Sequence, residues 1–139
     1  MSTSSSSELA VTDSHALIWY ATKRHRKLGR KAKKHFERAD AGGAAIYIPT
    51  MALVEVGEAS RRGVIELRGG FATWCDRLLS SPYFIALDLS LDVVLKAEEL
   101  YAIKERGDRL IAATAVVFGL PLVTRDPSIA DAAGVEVLW

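Results

Sequence analysis

The sequence is poor in sulfur, and that bounds its chemistry. Cys75 is the one cysteine in 139 residues, so no disulfide closes within the chain and no cysteine-based metal centre can form. A lone thiol suits a reducing compartment, and a cytoplasmic setting is the expectation. No apolar run reaches the roughly 18 residues of a membrane-spanning helix, so no membrane partner is expected. Residues 1–8 lack the basic start and the apolar stretch of a secretory signal. They read as a disordered tail, and 9–139 reads as a single domain. The three histidines, His15, His25 and His35, have no paired ligand spacing. The chain also has no G-x-x-x-x-G-K-[ST] loop and no G-x-G-x-x-G fingerprint, which excludes nucleotide-binding folds of those kinds.

What is present is half hydrophobic and a quarter charged, an ordinary globular composition with enough chain to bury a core. The net charge of +1 hides an asymmetry. Segment 23–38, KRHRKLGRKAKKHFER, holds nine of the eighteen Lys and Arg and one acid, Glu37. The remainder carries nine bases against sixteen acids, a net charge of −7. A basic pole on an acidic body points to an anionic partner, and the density of the run favours nucleic acid over a merely solvated helix face.

Apolar, β-branched runs at 8–13, 44–49, 83–89, 121–124 and 135–139 read as five strands. Between them, 14–21, 29–41, 50–63 (with Thr50 as N-cap), 69–81, 90–107 and an apolar helix opened by Asp108 read as helices. Asp126-Pro127 opens a further turn or helical segment. Strands alternating with helices imply an α/β fold, a parallel sheet covered on both faces.

Ligands of such sheets bind beyond the carboxyl ends of the strands. Asp13 ends the first strand and Asp126 follows the fourth. Asp108 heads the helix that returns to the fourth strand, which places it on the same edge. Glu55 lies in the helix after the second strand, flanked by apolar neighbours. Two carboxylates about 5 Å apart repel by about 3 kcal/mol at an effective dielectric near 20, so four would raise their pKa values or splay unless a cation neutralised them. An all-oxygen set suits Mg²⁺ or Mn²⁺, ions that activate water and stabilise charge on a phosphoryl oxygen. Each acid has a plainer role open to it, as a helix cap or a turn residue. Ser14 and Thr124 read as orienting a carboxylate or a metal-bound water, or as caps; Glu58 reads as solvated more than as sharing the face of Glu55, Asp131 as a rim residue or a surface acid, Asp88 and Asp92 as caps, and Cys75 as core.

The ordered set VTDSHALIWY, ALVEVGEA, GDRLIAATAVVFGLPLVTRD and GVEVLW resembles the PIN-domain family, and most of all its VapC-type toxins. The resemblance implies a three-layer α/β/α fold with a five-stranded parallel sheet in the order 3-2-1-4-5. It implies a Mg²⁺- or Mn²⁺-dependent endoribonuclease in which Asp13, Glu55, Asp108 and Asp126 are the catalytic and metal-holding acids. It further implies a cognate antitoxin, a homodimer and an RNA substrate, for which 23–38 is the candidate contact. Relatives often carry an extra Asp shortly before the third acid; here that region reads KERGDR, and Asp108 is expected to stand alone. Two other readings stay open. One is a PIN-like nucleic-acid-binding or regulatory module without catalysis. The other is a phosphate-handling α/β protein, disfavoured because Ser14-His15 follows Asp13 where a D-x-D pair would need its second acid.

Overall fold

The structure, a computed structural model, describes residues 8–139; the tail expected at 1–8 lies, except for Glu8, outside the described residues. Five short strands form one sheet: β1 Leu9–Thr12, β2 Ala45–Pro49, β3 Phe84–Leu87, β4 Leu122–Val123 and β5 Val137–Leu138. Every pairing is parallel and the order is β3-β2-β1-β4-β5. Seven α-helices connect them among the described residues: α1 Ser14–Ala21, α2 Arg30–Asp40, α3 Thr50–Arg61, α4 Phe71–Leu79, α5 Leu91–Glu99, α6 Arg106–Phe118 and α7 Pro127–Ala133. A 3-10 turn, His25–Lys27, precedes α2. The expected α/β architecture and strand order are those observed.

The core lies between sheet and helices. Val11, Leu17, Phe36, Ile46, Ile48, Ile111 and Leu122 are fully buried in it. Helix α6 is apolar on almost every face because it is covered twice. Ile111, Ala112 and Ala115 pack into the main core, while Ala113 packs against Val93 and Ala97 of α5. His35 is buried, and its Nε2 lies 3.1 Å from the carbonyl oxygen of Ala45, pinning α2 to β2. The backbone oxygen of Trp139 accepts from the N–H groups of Lys31 and Ala32 at 2.8 and 3.3 Å, so the end of the sheet satisfies donors that the first turn of α2 leaves open.

Several local expectations are corrected. The single helix expected over 90–107 is broken. Ser90 caps α5, whose last residue is Glu99, and α6 starts at Arg106 after Glu105 as N-cap. A straight helix could not double back to pack α5 on α6. Tyr101, inside the expected helix, is therefore outside both helices and 81% exposed. Ser90, and not Asp88 or Asp92, supplies the capping oxygen of α5. Thr50 is the first residue of α3, and its cap position is Pro49, which has no side-chain acceptor. Cys75 is half-buried at the core's edge.

Candidate active site

Asp13, Glu55 and Asp108 lie within reach of one another's charge, and Asp126 lines a pocket with Asp13 and Asp108. Asp13 directly follows β1. Its Oδ1 accepts from the N–H of Ala16 at 2.9 Å, capping α1, and its own N–H donates to the carbonyl of Val123 at 3.1 Å, tying it to the end of β4. Burial pushes its carboxyl up in spite of that bond, the Thr124 hydroxyl beside it, and the charges of His15 and Arg125. Its cap role and its place on the rim coexist.

Asp108 does not open α6, as expected, but sits third in it. Its N–H donates to Glu105 Oε1 at 2.7 Å. Burial first, then the charges of Glu105, Glu55 and Asp13, push the Asp108 carboxyl up to about 6. Glu55 is half-buried and also raised, by burial and by the charges of Glu105 and Asp13. The Ser14 hydroxyl favours its ionised form, yet Glu55 Oε1 is buried with no hydrogen-bond partner.

Asp126 differs from them in its surroundings. It is exposed, and its Oδ1 accepts from both the N–H and the hydroxyl of Ser128, at 3.0 and 2.6 Å. These bonds cap α7 and hold its carboxyl below the usual range. It shares with Asp13, His15, Trp19, Asp108 and Arg125 a pocket of about 370 Å³. Its link to Asp13 runs through Thr124, a buried hydroxyl that accepts from the Asp126 N–H at 3.2 Å and lies against the Asp13 carboxylate.

The PIN-domain family model matches residues 10–135. The chain belongs to the PIN-domain family. No curated protein matches it. Solved structures of similar fold include the following three. VapBC2 from Rickettsia felis, bound to a promoter DNA fragment, aligns at 16% identity and TM-score 0.69 over 93% of this chain and 96% of that one. FitAcB from Neisseria gonorrhoeae aligns at 17% and 0.66, over 94% and 96%. A toxin–antitoxin complex from Klebsiella pneumoniae aligns at 21% and 0.61, over 94% and 96%. At these identities the likeness is one of fold.

Two residues of this PIN domain escaped the sequence reading. Glu105 is one, an acid beside the Asp108 expected to stand alone; the E-R-G-D spacing of an acid three residues before another is the signal for a cap. Gly107 is the second. It is buried, and a Cβ there would overlap Glu55 Oε2. The missing side chain is what lets the Glu55 carboxylate rest on the first turn of α6, beside Asp108.

The donor set fits a hard divalent cation. It is all oxygen, it raises its own proton affinities, and one of its buried oxygens has no partner in the protein. Among the described residues no three acids stand close enough to hold one ion as they are set. Mg²⁺ commonly keeps several waters and takes one or two carboxylates directly, so a looser cluster remains compatible with it. Among the described residues no helix is long and apolar enough to cross a membrane.

Proposed function

We propose that the protein is a Mg²⁺- or Mn²⁺-dependent endoribonuclease and the toxin of a toxin–antitoxin pair. The observation that carries the reading is the partnerless buried Glu55 Oε1 in the field of Asp13 and Asp108, whose proton affinities are also raised. Leaving a buried carboxylate oxygen unmet costs free energy, and a cation is the ligand that removes the cost.

Asp13, Glu55 and Asp108 would hold the ion, which when bound supplies water activation and charge neutralisation at a phosphodiester. The residues themselves act around it. Thr124 and the Ala16 N–H orient Asp13. Glu105 orients Asp108 through the helix cap, and Gly107 admits Glu55. Asp126 is proposed as the outer acid of the pocket, where it orders the β4–α7 loop and repels misplaced phosphate. The exposed basic face of 23–38 supports an RNA substrate.

The solved complexes of similar fold are named as VapBC, FitAcB and toxin–antitoxin assemblies, which supports a cognate antitoxin for this chain. Leu91, Val94 and Leu95 of α5 are exposed at 70, 37 and 56%, as is Phe118 at 48%. That apolar surface supports a homodimer. A cytoplasmic location accords with an RNA substrate and the lone thiol.

Incubation of the purified protein with cellular RNA, in Mn²⁺ or in EDTA, tests the activity. Cleavage that needs Mn²⁺ and vanishes in Asp13→Asn is expected. Binding of RNA with no cleavage in any divalent ion would instead favour the non-catalytic module.

A further inference from the structure

Trp19 on α1 is only 7% exposed, yet basic side chains surround it. The Arg125 guanidinium carbon lies 4.8 Å from the ring centroid and the Lys27 ammonium 5.8 Å. The His15 ring lies 5.8 Å away, and Trp139 meets the indole edge-on at 6.0 Å. Arg125, Lys27 and His15 are themselves exposed. Arg125 and His15 line the same pocket as Asp13 and Asp108. The ion pairs among the described residues, Arg38–Glu8 and Lys96–Glu99, involve neither Arg125 nor Lys27.

Two permanent cations, neither in an ion pair among the described residues, thus stand over one buried indole at the margin of an anionic pocket. A cation–π contact limits the freedom of a long side chain, so less entropy is lost when the charge takes a ligand. Trp19 is too buried to stack a base, which leaves the charges as the recognising groups. A ligand suited to both halves of the pocket carries fixed negative charge for the cations and a site for chemistry at the acids. Lys27 also belongs to the basic segment, so it joins that pole to the pocket.

We propose that Arg125 and Lys27, held on the Trp19 indole, form a phosphate-binding collar that seats the backbone of single-stranded RNA beside the acid cluster. The inference rests on the ribonuclease reading for its substrate and adds the residues that hold the backbone.

The test is the salt dependence of binding to a fluorescent, mixed-sequence single-stranded RNA in EDTA. Each phosphate contact on a single strand contributes about 0.7 to the slope of log affinity against log salt. The Lys27→Ala/Arg125→Ala protein is expected to lose about 1.4 from that slope, and Lys27→Arg/Arg125→Lys to keep it. Should the alanine protein melt early, Lys27→Gln/Arg125→Gln carries the test, since it keeps the stems on the ring. An unchanged slope in the folded double variant overturns the collar. So does an unchanged RNA slope alongside weakened binding of a polyglutamate peptide, which would assign these cations to a protein partner.

Asp13→Asn separates the two readings. If that variant cleaves as the unaltered protein does while the collar variants lose slope, the assignment of cleavage to the acid cluster fails and the collar stands. If cleavage is lost in Asp13→Asn and the slope is unchanged in the collar variants, the reverse holds.

Discussion

Glu55 and Asp126 are two acids expected in one site, and their surroundings are opposite. Glu55 is half-buried, its proton affinity is raised, and Oε1 meets no donor. Asp126 is exposed, its proton affinity is lowered, and one oxygen already takes two donors from Ser128. A carboxylate satisfied by its own chain is performing local work, here the cap of α7. One left unsatisfied in a low-dielectric place is held ready for something the chain does not supply. Asp13 falls between them, capped onto α1 yet with its carboxyl still raised by burial.

The largest expected effect separates the two classes outright. Asp13→Asn and Asp108→Asn should lower Mn²⁺-dependent cleavage by on the order of 10²–10³-fold, the scale on which removing one charge-stabilising group acts. Asp126→Asn should lower it by less than about tenfold, since Asn caps a helix as well as Asp does. Comparable losses in all three, measured as initial rates on one RNA, would abolish the distinction.

Gly107→Ala comes next. Alanine favours a helix over glycine by about 1 kcal/mol, yet here its Cβ would displace Glu55. Mn²⁺ affinity, followed by electron paramagnetic resonance, should fall by about 10-fold or more, as when the support of a metal ligand is disturbed. Undiminished affinity would mean that Glu55 does not act from its seat on α6.

The metal-free protein should also lose stability as pH rises through the window of the raised acids. Folded Asp108 keeps its proton up to about pH 6, whereas an unfolded Asp releases it near 4. Between those values the folded chain binds more protons, so unfolding free energy falls with rising pH. The contribution is complete below the window and gone above it. Asp13 and Glu55, also raised, act in the same direction. Asp126, lowered, acts in the opposite one, stabilising above the ordinary carboxylate value and losing that effect as pH falls. Thermal melts across this range in EDTA should show the decline, and Mn²⁺ should flatten it. A midpoint that climbs steadily from pH 4 to 7 without metal would contradict the clustering.

The smallest effect is Glu55→Gln. Removing a partly buried, repelled charge should raise the metal-free melting midpoint by a few degrees. A lower midpoint would show that Glu55 is structural after all.

The strand–helix alternation, the apolar double burial of α6 and the acids at Asp13, Glu55 and Asp108 were legible because each has a local signature in spacing or context. The break at 100–105 was not. The apolar stripe of α5 continues through Leu100 and Tyr101 without a glycine or proline to stop it, and the chain turns there only because α5 must pack back on α6. Glu105 was hidden for the same reason, since a residue inside an expected helix is not sought as a cap.

The alternation of elements and the acid positions at strand ends follow from the sequence alone, because hydrophobic period and chain connectivity place them on one edge. Only the tertiary structure decided which carboxylates share an environment. Proton affinity and hydrogen-bond satisfaction depend on what packs around an oxygen, and for Glu55 that is a glycine fifty-two positions further along the chain.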